Sequence, residues 1–106
     1  MRMIPIACTA IAICAAAASA ADSKAGQAIY LKSCKSCHGV DGTPNPGMVK
    51  MLKVDMRNLG SAEVQAQSDD AIEKVITAGK GKMKPVTSVT GKSVDDVVAF
   101  VRTLKK

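Results

Sequence analysis

The sequence predicts an all-α domain of three main helices joined by short turns. Three observations predict it. Val97, Phe100, Val101 and Leu104 recur at helical spacing and make one apolar stripe. Ser68-Asp69-Asp70 opens a second helical run through Ala71, Ile72, Val75 and Ile76, and Gly79 stops it. No strand-like alternation interrupts these elements.

The first twenty residues read as something other than the domain. Arg2 is the only charge before Asp22, and Ile4 to Ala18 form an apolar stretch that ends in small residues. Ala18-Ser19-Ala20 has the small-x-small pattern of a signal peptidase site, with Ser19-Ala20-Ala21 the next choice. Residues 1–20 are therefore expected to be a secretory leader, cleaved after Ala20 or Ala21, with residues 21–106 as one domain. An uncleaved anchor is the competing reading, but the alanine-rich end suits cleavage better than a membrane span. Neither Cys8 nor Cys14 lies in the leucine-small-small context of a lipid-anchored cysteine.

The first domain helix is expected from about Lys24 to Ser36, capped by Ser23. It places Ile29 on an apolar side and Gly26, Tyr30 and Cys34 in one i, i+4 row. Gly39, Gly42 and Thr43-Pro44-Asn45-Pro46-Gly47 read as a loop, and Met48, Met51 and Leu52 as one short helical turn. The last helix is expected to start on a capping-box-like Ser93 and Asp96, and Lys105-Lys106 suit the negative end of its dipole.

Such a domain lacks bulk. The chain has 106 residues, 2% of them aromatic, with Tyr30 and Phe100 alone and no tryptophan. A core this thin usually needs a disulfide, a metal or another non-protein staple. Cleavage would leave two cysteines, Cys34 and Cys37, in an exported chain.

Those two lie in Cys34-Lys35-Ser36-Cys37-His38, the C-x-x-C-H pattern of covalent haem attachment. Two thiols on one helical turn reach the two vinyl groups of a porphyrin and form thioethers, and the following imidazole points at the iron. Structural zinc fails on ligand count, because His38 is the only histidine and no second cysteine pair survives cleavage. A thioredoxin-like pair calls for a strand–helix–strand pattern that is missing. A plain disulfide across so short a loop would stabilise little.

With these residues in hand, the chain resembles the small single-haem, class I c-type cytochromes of bacteria. The resemblance runs from Gly26 to Leu104 and begins with Gly26-x-x-x-Tyr30-x-x-x-Cys34-x-x-Cys37-His38-Gly39. It implies the class I cytochrome c fold, with three main helices and short turns wrapped around one covalently attached haem c. It also implies a crossing of the first and last helices, with Gly26 and Tyr30 against Val97 and Phe100. The haem would then be the largest buried apolar body, touched by residues such as Leu52, Leu59, Ile76 and Val86. Pro46 matches the family's proline whose carbonyl takes the ring N–H of the ligating histidine, with Pro44 as the alternative.

The sixth iron ligand is open on the residues alone. Met48 and Met51 suit a gap-filling role in a helical turn, and Met56 lies in a polar loop. Met83 follows Gly79-Lys80-Gly81-Lys82, a segment that resembles the family's methionine loop. The resemblance implies His38 and Met83 as the axial ligands. This chain departs from the family in placing Lys84 between Met83 and Pro85.

The expected function is that of an exported, periplasmic electron carrier and not an enzyme, since a filled sixth position leaves no site for substrate. The net charge is +6, and loss of the leader removes only Arg2 from it. Lys80, Lys82 and Lys84 flank Met83, and Lys32 and Lys35 flank the attachment motif. They point to redox protein partners with acidic docking surfaces. A monomer is expected. Nucleic acid is excluded, because no aromatic residues interleave the lysines. Membrane association would come only through membrane-bound redox partners or an uncleaved leader.

Overall fold

Asp22 starts the first helix, one residue before the expected Ser23 cap. In the computed structural model, which describes residues 21–106, its carboxylate accepts from the backbone N–H of Lys24 at 2.9 Å and of Ala25 at 3.2 Å. The expected leader over residues 1–20 lies outside the described residues. Helix α1 covers Ser23–Ser33 and breaks at Cys34, so the single helix expected to reach Ser36 is two. Cys34 serves both. Its N–H closes α1 on the Tyr30 carbonyl at 2.8 Å, and its carbonyl accepts from Cys37 and His38 to start α2, Lys35–His38.

Helix α3, Pro46–Leu52, is longer than the one turn expected. It takes in Pro46 and Gly47, which the loop-forming composition had assigned to the preceding turn. The Asn45 side chain caps it on Gly47 N–H, and Pro46 occupies the first position, where its missing donor costs nothing. Lys53 ends α3 in the left-handed region at φ 52°. A four-residue α4, Ala62–Gln65, follows a Ser61 cap. Helix α5, Asp69–Ala78, has the Ser68 cap and Gly79 stop read from the sequence.

The last helix, α6, covers Lys92–Thr103 and starts at Gly91 without a side-chain cap. The Ser93–Asp96 capping box does not form, because Asp96 has other work. Its carboxylate accepts from the Asp22 N–H of α1 at 2.8 Å and from Lys92 Nζ at 3.1 Å. Only 5% of Asp96 is exposed, so those donors satisfy a charge that burial would otherwise penalise.

The crossing of α1 and α6 is the main seam of the fold, and it depends on Gly26. A Cβ there would overlap the Asp96 carbonyl oxygen and stand 2.9 Å from Val97 N. Only a residue without a side chain allows that approach. Beside it Tyr30 packs on Phe100, ring centroids 4.9 Å apart and planes tilted by 53°. The remaining core is largely valine and isoleucine: Ile72 and Ile76 of α5 meet Val94, Val97, Val98 and Val101 of α6. Arg102 ties α6 to the α4–α5 junction, donating to the carbonyls of Gln65 at 2.7 Å and Gln67 at 2.6 Å and to the Asp69 carboxylate at 2.7 Å. Among the described residues no helix is long and apolar enough to cross a membrane.

Candidate functional site

Cys34, Cys37 and His38 come together on the α1–α2 break and the single turn of α2. Side chains from both flanks, Tyr30 of α1 and Asn45 before α3, hold the end of that turn. Four successive carbonyls, from Ser36 to Gly39, lack helical partners of the usual kind, and each finds another donor. Asn45 Nδ2 donates to Ser36 O at 3.2 Å, and Asn45 N–H to Cys37 O at 2.9 Å. The Tyr30 hydroxyl donates to Gly39 O at 2.7 Å, with His38 O at 3.3 Å as the weaker branch. Gly39 turns the chain away at φ 70°, where a Cβ would overlap the Thr43 carbonyl.

The chemistry of these side chains fits a covalently held haem. Cys34 and Cys37 are both free thiols, Cys34 half-buried and Cys37 likewise. Burial, and then the neighbouring Cys37, pushes the Cys34 thiol up and keeps it protonated. Burial also holds the His38 imidazole below its ordinary pKa, favouring the neutral form that a metal takes. Its Nδ1 is buried with no hydrogen-bond partner among the described residues. The bond expected from that ring to the Pro46 carbonyl is therefore not made; Pro46 opens α3 instead.

Met83 lies on a separate segment, between α5 and α6. Lys80 and Met83 exchange backbone hydrogen bonds of 2.9 and 3.0 Å, closing a tight turn over Gly81 at φ 58°. Gly79 sits against this turn at φ 78°, where a Cβ would lie 2.5 Å from the Met83 carbonyl oxygen and 3.0 Å from Pro85 N. Val86 N–H then returns to Ile76 O at 2.9 Å and fastens the strap to α5. The Met83 side chain is half-buried, while Lys82 and Lys84 beside it are exposed. Of the residues expected around the cofactor, Leu52, Leu59 and Val86 are half-buried, and Ile76 belongs to the α5–α6 core.

Sequence reasoning missed the Tyr30 hydroxyl. It assigned Tyr30 to helix packing, and a phenol eight residues before a histidine carries no local signal of a bond to that histidine's peptide. Asn45 was legible in principle: an asparagine before a proline is a helix-start signal, and the loop reading passed over it.

A helical domain crossed at Gly26, with a C-x-x-C-H turn and a separate methionine strap, defines a c-type cytochrome. Comparison with known proteins agrees. The family model described as cytochrome c oxidase, cbb3-type, subunit III matches residues 21–101. A solved structure, the "KustC0563 c-type cytochrome", is 37% identical with a TM-score of 0.65, and the alignment covers 76% of this chain and 98% of that one. No curated protein matches. The chain belongs to the cbb3-type subunit III family of cytochrome c domains. Membership carries haem binding, haem-based electron transfer and redox protein partners with it.

Proposed function

We propose that this protein is an exported, periplasmic carrier that holds one haem c covalently and passes one electron at a time between redox proteins. Cys34 and Cys37 would form the two thioethers, and His38 and Met83 would be the axial ligands. The observation that carries the reading is the attachment turn: two free thiols three residues apart, followed at once by a half-buried imidazole whose pKa burial lowers. Haem supplies the one-electron couple, and a histidine–methionine pair would hold it at a high potential.

The chain's own residues have separable tasks. Cys34 and Cys37 fix the group to α1 and α2. His38 presents its ring from a turn whose carbonyls are held by Tyr30 and Asn45. The glycine turn before Met83 sets the backbone from which the sulfur would reach the iron. The lysines beside both segments would steer acidic partners toward the site, and their effect should weaken with salt.

Mass spectrometry of protein exported by a host with cytochrome maturation tests the reading. The expected mass is that of the chain from Ala21 or Asp22 plus one haem that resists acid–acetone extraction. A mature chain without haem from such a host would refute it.

A further inference from the structure

We propose that Tyr30 is a positioning residue for the iron ligand: its hydroxyl anchors the peptide that carries the His38 imidazole and so sets the orientation of the ring. The inference rests on the reading of His38 as an axial ligand. Two observations carry it. The first is the pair of contacts from the hydroxyl, 2.7 Å to Gly39 O and 3.3 Å to His38 O. The second is that His38 Nδ1 has no partner among the described residues.

A ligating histidine is ordinarily oriented by a hydrogen bond on the nitrogen that does not face the metal. Here that nitrogen offers no anchor, so the ring direction is set by its backbone. Asn45 holds the carbonyls of Ser36 and Cys37, two residues and one residue before the ligand. Among the described residues Tyr30 alone holds those of His38 itself and of Gly39.

The phenol is well placed for the task. Tyr30 is 1% exposed, and its ring is fixed against Phe100 beside the Gly26 crossing. Its hydroxyl is therefore located by the α1–α6 seam and not by the loop it bonds. The seam thus sets the ligand through one oxygen. A tyrosine ring has few torsions to freeze, so the anchor is stiff at small entropic cost.

The test uses haem-loaded protein. Tyr30→Phe keeps the ring and deletes the hydroxyl, and Phe100→Leu loosens the same seam while leaving the hydroxyl in place. Tyr30→Phe should keep its haem but shift or broaden the ferric low-spin EPR signal, which responds to the orientation of the ligand plane. It should also speed hydrogen exchange at the His38 and Gly39 amides by about five- to tenfold, the loss of one neutral hydrogen bond. Amides in the middle of α6 should change less than about twofold. Phe100→Leu should lower overall stability and shift the EPR signal less than Tyr30→Phe does, because the hydroxyl and its bonds are kept.

An EPR signal in Tyr30→Phe identical to wild type would overturn the proposal, as would equal changes in both variants. Tyr30 is the only tyrosine, so 3-fluorotyrosine labels this one site and needs no variant to fold. A fluorine resonance that moves between the ferric and ferrous protein supports the placement; one that is the same in both states overturns it. Failure of the ligand reading looks different, because wild-type protein would then itself lack haem or a histidine-ligated signal.

Discussion

The backbone of Asp96 lies so close to Gly26 that no side chain can stand between them, and the two helices that carry these residues meet there. Asp96 also accepts the N–H of Asp22 at 2.8 Å, four residues before that glycine. One residue of α6 thus fixes both the separation of the seam and the start of α1. Tyr30 lies on the same helix and Cys34 caps it, so the crossing is where the position of the attachment turn is decided.

Gly26→Ala should therefore destabilise the protein. Alanine gains about 1 kcal/mol over glycine in helix propensity, which alone would stabilise α1. The overlap with the Asp96 carbonyl acts the other way and costs about 1–3 kcal/mol or more, because backbone and not a flexible side chain must move. A net loss in a chemical denaturation midpoint is expected. A midpoint at or above wild type would show that the helices do not approach as described.

Asp96 should make stability depend on pH at the acid end. The Asp22 N–H, and also Lys92, hold its carboxyl below the usual aspartate range, against the opposing pull of burial. As pH falls, the unfolded chain takes up this proton first, at about pH 4. The stability due to ionised Asp96 is present above that pH and is lost as pH drops through the lower folded value. Asp96→Asn should be less stable than wild type near neutrality, and the gap should narrow below about pH 4. Thermal melts of both proteins from neutrality down into the acid range check it; a constant gap would refute it.

Lys53 offers the opposite kind of change. It is the one non-glycine residue at positive φ among the described residues, 52°, at the end of α3. A side chain in that conformation is strained, and glycine adopts it freely. Lys53→Gly should raise stability by roughly 0.5–1 kcal/mol, and Lys53→Ala should give no such gain. Equal effects from the two substitutions would show that the left-handed cap is not maintained.

These residues also show what was legible in the sequence. Local signals sufficed for α5, where Ser68 and Gly79 mark both ends within one element. The α6 stripe was legible as helical periodicity, whereas its crossing with α1 at Gly26 and Tyr30 was implied by the resemblance to c-type cytochromes. What failed was non-local. Asp96 looked like part of a capping box until a donor 74 residues away claimed it. Cys34 looked helical because its spacing from Gly26 and Tyr30 is helical, yet the chain breaks there to start α2. Helix α4 is four residues long, too short to show any period. At the site, the C-x-x-C-H turn was readable from its own five residues, whereas its hold by Tyr30 and Asn45 needed the fold.

Met83 should prove to be the sixth ligand, and its turn should matter as much as its sulfur. A thioether favours ferrous iron, and its loss should lower the reduction potential and open the iron to carbon monoxide. Met83→Ala should therefore abolish the weak near-infrared sulfur-to-iron absorption of the oxidised protein, while Met48→Ala, Met51→Ala and Met56→Ala leave it intact. Gly79→Ala supplies an independent arm, since it leaves every methionine in place. Its Cβ would press on the Met83 carbonyl oxygen at 2.5 Å, in a conformation with φ 78° that alanine avoids. The turn must shift to relieve both, and the sulfur should shift with it. Gly79→Ala is thus expected to weaken the same absorption and to admit carbon monoxide in part. Gly81→Ala, at φ 58° but with open space around it, should perturb the band less. If Met56→Ala removes the band, or if wild-type protein binds carbon monoxide readily, Met83 is not the ligand. In the second case the open iron would favour a sensor or a peroxidase over a carrier.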